Sequence, residues 1–147
     1  MNVIMGLQER QREKQINYER RLLRDLSIEK LKVRILDFFN HDYSLGLCLT
    51  DVLEEGCFDV AIEAFLLGGN YGKFGYYGES MEDSRLRCKQ EEKHLVDTLF
   101  NFILYWGKAG KMDIYSESLF YHCSAYVEAW WLQGFQAGAK YYKLRLH

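Results

Sequence analysis

Not one proline occurs in the 147 residues, and that absence does most to narrow the fold. Proline breaks a helix by removing an amide donor and clashing with the preceding turn. Without it, helices can run as long as their side chains support them. Strands have little in their favour, because no run of alternating polar and apolar residues is bounded by turn chemistry. Apolar residues recur at three- and four-residue spacing instead. Ile28, Leu31, Ile35 and Phe38 or Phe39 form one stripe; Leu95, Leu99, Phe102, Ile103 and Trp106 form another. Leu119, Cys123, Val127, Trp130, Gly134 and Ala137 form a third. The pattern predicts an all-α fold, a compact bundle of about five helices near 3–25, 28–40, 51–67, 81–106 and 113–143. Ser27 and Ser80 are suited to cap the second and fourth. The length suits one helical domain over 1–147 with a real core. Its first helix, residues 1–25, is polar until Ile16, Leu22, Leu23 and Leu26, so it is expected to protrude or to be covered by a partner.

The stretch GGNYGKFGYYGES, residues 68–80, is the most unusual part of the chain. Gly68, Gly69, Gly72, Gly75 and Gly78 would each cost a helix about 1 kcal/mol relative to Ala. The segment is therefore expected to be a Gly/Tyr-rich connector between the third and fourth helices. It matches neither the Walker loop nor the dinucleotide pattern, and no strand precedes it. Glu79, Glu82 and Asp83 would oppose a phosphate at the next helix start. A neutral or cationic ligand on the tyrosines, or a partner surface, remains open. The candidate residues are Gly69, Tyr71, Gly72, Phe74, Gly75, Tyr76, Tyr77, Gly78 and Glu79.

Charge is segregated along the chain. Residues 1–36 hold nine Lys/Arg and five Asp/Glu (net +4); residues 37–97 hold five and thirteen (net −8); residues 98–147 hold five and three (net +2). A basic first helix lying against the acidic middle is the plain reading, in the same chain or in a partner. The tail KYYKLRLH is basic and aromatic, which suits single-stranded nucleic acid and equally suits a helix end with cations at its negative pole. Nucleic acid is not the favoured partner, since a basic surface for it is normally less neutralised.

Other chemistry is thin. Cys48, Cys57, Cys88 and Cys123 form no CxxC pair, which leaves no zinc ribbon or thioredoxin motif. Reduced thiols, the lack of a signal peptide and the lack of a roughly 20-residue apolar run point to a cytoplasmic protein with no membrane segment. Glu91-x-x-His94 has di-iron spacing but no second copy. Asp59, Glu63 and His94 are the weak candidates for a metal, beside a row of Glu55, Asp59 and Glu63 and the pair Asp37 and His41. No cofactor is expected. His122 and Cys123 are neighbours and so point about 100° apart on a helix; no catalytic residue is assigned. Of Trp130 and Trp131, one is expected in the core and the other exposed or buried by a second subunit. With Gly134, Phe135 and Gly138 they form the candidate dimer contact.

The segments EEGCFDVAIEAFLLGGNYGKFGYYGES, VEAWWLQGF and KLRLH resemble a small uncharacterised family of Bacillus-type bacteria labelled YbaK, unrelated to the tRNA-editing deacylase that shares the label. The resemblance runs over most of the chain and implies no known activity, cofactor or catalytic residue. The leading expectation is a non-enzymatic protein-interaction or regulatory helical protein, with a protein partner or itself as a homo-oligomer. The alternatives are a small-molecule-binding protein or enzyme using the 68–80 loop, and a nucleic-acid-binding protein using the basic ends.

Overall fold

The computed structural model describes residues 2–24, 26–35, 51–109 and 116–146. Phe38, Phe39, Asp37, His41 and Cys48 lie outside the described residues. All described elements are helices: α1 (Asn2–Leu23), α2 (Ile28–Ile35), α3 (Asp51–Tyr76), α4 (Met81–Arg87), α5 (Lys89–Ala109) and α6 (Ser116–Leu146). The two serine caps form as expected. Ser27 Oγ accepts from the Lys30 amide at 3.1 Å, and Ser80 Oγ accepts from the Asp83 amide at 3.1 Å. There is one helix more than expected because the 81–106 stretch breaks at Cys88 (φ −116°, ψ 27°), whose amide turns back to the carbonyls of Arg85 and Leu86.

The expected connector over 68–80 is mostly helix. α3 continues through Gly68, Gly69, Gly72 and Gly75 to Tyr76, and only Tyr77–Ser80 link it to α4. Gly78, at φ +101°, supplies the turn. The physical reason lies in α6. A Cβ on Gly68 would run into the Trp131 carbonyl oxygen, and one on Gly134 into that of Phe65. A Cβ on Gly72 would lie 2.5 Å from the Ala139 amide nitrogen, and one on Gly138 would meet the Gly69 carbonyl. Glycines one turn apart on each helix thus let two backbones touch. The propensity cost of about 1 kcal/mol per glycine is outweighed by the dispersion and Cα–H···O contacts that only bare backbone permits. The two helices run in the same direction, since Cys57 meets Tyr126, Phe65 meets Gly134 and Gly69 meets Gly138 in step.

Around this seam the rest assembles. α5 returns antiparallel to both, with Phe102 on Gly56 and Phe100 against Phe120. Leu53, Val60, Ala61, Ala64, Leu99, Ile103, Leu119, Val127 and Trp130 form the main core, joined by Leu31 and Ile35 of α2 and Leu22 of α1. Trp131 belongs to a second cluster with Cys88 and Phe135. It stacks on Phe135 at 5.2 Å, and its indole N–H donates to Cys88 Sγ at 3.1 Å. Both tryptophans are therefore buried within one chain, correcting the expectation that one would be left exposed or for a second subunit.

Candidate functional site

Two side chains of α1, Tyr18 and Leu22, reach the seam between α3 and α6. Tyr18 donates its hydroxyl to the Gly69 carbonyl at 2.6 Å, and Leu22 packs where a Cβ on Gly69 would stand. Burial raises the Tyr18 phenol well above its ordinary range, aided by Tyr142 and Tyr141 beside it. The hydroxyl therefore stays protonated as a donor. This docking leaves a groove between α1, the last turns of α3 and the last turns of α6. One lobe, about 400 Å³, is lined by Gln11, Lys14, Gln15, Tyr18, Asn70, Lys73, Tyr141, Tyr142 and Arg145. A second, about 250 Å³, adds Asn17 and Arg21 and shares Lys14, Tyr18, Tyr141 and Arg145 with the first.

The lining follows from helix geometry. Gln11, Lys14, Gln15, Tyr18 and Arg21 lie on one face of α1, and Asn70 and Lys73 are one turn apart on α3. The rings pack edge to face or tilted: Tyr18 on Tyr141 at 4.9 Å, Tyr18 on Tyr142 at 5.9 Å, and Tyr141 on Tyr142 at 5.7 Å. Arg21 donates to the Tyr141 hydroxyl at 3.2 Å and lies over its ring. Gln15 bridges Asn70 and Glu19. Lys14, Arg21, Lys73 and Arg145 line the two lobes, and no described carboxylate does. The C-terminal poles of the parallel α3 and α6 carry partial negative charge, which lets these cations gather.

A larger cleft of about 560 Å³ lies between α4, α5 and α6. The break at Cys88 brings Arg85 and Glu92 together: the Arg85 Nη2 to Glu92 Oε1 distance is 2.7 Å, and Arg85 Nε also donates to Glu92 at 3.0 Å. Glu128 meets the same guanidinium at 3.0 Å. The hydrogen bonds to Glu92 raise the Arg85 value above its ordinary range. Leu86 is 65% exposed and Phe120 41% exposed along this cleft.

The residues proposed from sequence fall in different places. Gly69 and Gly72 are buried against α6. Gly75 faces Phe135, and Tyr71 packs on the Cys88–Trp131 cluster. Phe74 lies under Arg87 at 4.4 Å, and Arg87 also bonds Glu79 at 2.8 Å. Tyr76 packs edge-on to Tyr77, which is 72% exposed. The segment does line the groove, but through Asn70 and Lys73, which sequence reasoning passed over because it followed the glycines and rings. The candidate dimer contact of Trp130, Trp131, Gly134, Phe135 and Gly138 is filled within the chain by α3 and the Cys88 cluster.

Glu63 and His94 do come to one cleft, with Glu91, on α3 and α5. Asp59 does not join them, and no three His, Cys, Asp or Glu among the described residues converge to hold a metal. His122 spends Nδ1 donating to the Ser118 carbonyl at 2.7 Å, while Cys123 points into the core. Burial pushes the Cys57 thiol up to about 12 and raises Cys123 further, which keeps both from acting as thiolates. No described helix is long and apolar enough to cross a membrane.

The described residues thus form an all-helical fold that carries a polar groove lined by cations and tyrosines. The chain belongs to the family described as a protein of unknown function (DUF2521), which matches residues 1–147. It is also 31% identical over 146 residues, 99% of each chain, to a Bacillus subtilis (strain 168) protein described as uncharacterized protein YbaK. No solved structure matches.

Proposed function

We propose that this is a non-enzymatic binding protein whose working surface is the cation–tyrosine groove, and that its partner is anionic. One observation carries the reading. Three sequence-distant segments bring Lys14, Arg21, Lys73 and Arg145 around three tyrosines with no described carboxylate in the lining, in a chain of net charge −2. Like charges held together in this way favour an anion between them. The reading departs from a protein-only partner and gives the basic ends the leading part. Three buried, unpaired thiols at Cys57, Cys88 and Cys123 suit a reducing compartment such as the cytoplasm.

Calorimetric titration with inorganic polyphosphate at low salt tests it. Binding should weaken at least tenfold in the double variant Lys14→Glu, Arg145→Glu, whose substitutions sit on exposed positions and should move stability by less than about 0.5 kcal/mol. Equal binding by both proteins would remove the groove as the site. A second reading draws support from the exposed Leu86 and Phe120 in the α4–α5–α6 cleft, which suit a protein partner. Leu86→Glu should then abolish that association and leave polyphosphate titration unchanged.

A further inference from the structure

The two lobes of the groove have a length and chemistry that narrow the anion. Their α1 lining runs from Gln11 to Arg21, and at 1.5 Å rise per residue this is a track of about 15 Å. A single phosphate or a compact diphosphate would engage only part of it. Lys14, Arg21, Lys73 and Arg145 supply the basic track, and all four are exposed. Residues 10–24 carry six Lys/Arg against Glu13 and Glu19 alone.

The walls are also aromatic, and polyphosphate alone has no use for that. None of the three tyrosine pairs is stacked face to face. Arg21 occupies a face of Tyr141, and Tyr18 is tied to the Gly69 carbonyl. Tyr142, partly exposed on the groove wall, is the ring left for a flat partner. Gln11 and Asn70 add amide groups to the lining, while Gln15 gives its N–H groups to Asn70 and Glu19. The groove lining contains no aliphatic side chain to enter a bilayer.

Resting on the reading just given, we infer that the groove binds single-stranded nucleic acid, with phosphates on Lys14, Lys73 and Arg145 and a base on Tyr142. A duplex keeps its base faces stacked inside and offers this ring nothing, whereas a single strand offers both backbone charge and base faces.

The test is fluorescence anisotropy with a short labelled RNA oligonucleotide, at several salt concentrations, on the full chain. Wild type should bind with a salt slope of about −0.7 per phosphate contact, and the Lys14→Glu, Arg145→Glu variant should flatten that slope. Tyr142→Ala should weaken binding about tenfold, while Tyr142→Phe, which keeps the ring, restores it. Thermal melts of both Tyr142 variants show whether each is folded. Duplex and phosphatidylserine vesicles should compete poorly with unlabelled single strand. If inorganic polyphosphate or vesicles displace the RNA as well as unlabelled strand does, or folded Tyr142→Ala binds like wild type, the strand inference fails while anion binding stands. If neither RNA nor polyphosphate binds, both fail.

Discussion

The same few turns of α3 and α6 build two unlike surfaces. On one face, Gly68, Gly72, Gly134 and Gly138 remove side chains so that backbones touch, and everything there is dry. On the other, Asn70, Lys73, Tyr141 and Arg145 keep long polar side chains around an open groove. α1 joins them, since Tyr18 caps the Gly69 carbonyl at the seam and also lines the groove. A segment that looks like a loop by composition is thus a helix with one face stripped for packing and the other furnished for binding. Glycine's role along this seam is close approach, and among the described residues its freedom at positive φ matters only at Gly78.

The comparison can be broken most sharply at the seam. Gly134→Val places a branched side chain on the Phe65 carbonyl, where backbone rather than a mobile side chain must yield. Urea denaturation should show a loss of about 3 kcal/mol or more. A variant as stable as wild type would show that the helices are not in contact there.

Alkaline pH comes next. The Cys57 thiol is raised by burial from its ordinary value of 9.0 to about 12, with Glu54 adding to the shift. Cys123, Tyr126 and Tyr18 are raised by burial as well. Such a group keeps its proton in the native state after the unfolded chain has lost it. Its contribution is whole below the unfolded value and is lost as pH rises through the folded one. At pH 10.5 Cys57 alone should have lost about 2 kcal/mol. Melting temperatures that stay level from about pH 8 to about pH 10.5 would contradict the dry seam-side core.

A smaller effect sits at the junction. Tyr18→Phe removes the hydroxyl from the Gly69 carbonyl and should cost about 1 kcal/mol, read by denaturant midpoint, with the groove's rings retained. The smallest runs the other way. Gly6 has open space where a Cβ would stand, so Gly6→Ala should stabilise by about 0.5 kcal/mol through helix propensity alone. Destabilisation there would mean that α1 is packed along its outer turns.

Much of the frame was legible from periodicity. The caps at Ser27 and Ser80, the buried stripes of Leu95, Leu99 and Ile103, and that of Leu119, Cys123 and Val127 all follow from helical spacing. The end of α3 was not legible, because propensity counts glycine as a cost and says nothing of a second glycine pair 66 residues later in sequence, Gly68 with Gly134. The break at Cys88 was hidden for a similar reason, since Arg85 and Glu92 reveal their pairing only once the chain turns. The groove escaped notice because its α1 face, Gln11, Lys14, Gln15, Tyr18 and Arg21, carries too little apolar character to register as a stripe. That the two basic ends converge on one groove is a tertiary fact.

The most direct test of the central claim is native-state hydrogen exchange at the amides of Gly68 to Tyr76. A continuous helix pressed against α6 predicts slow exchange through Gly69 and Gly72, at rates close to those of the core residues Ala61 and Ala64. Fast exchange from Gly68 onward, at rates like those of Tyr77 and Gly78, would restore the segment to a loop and overturn both the seam and the groove built on its other face.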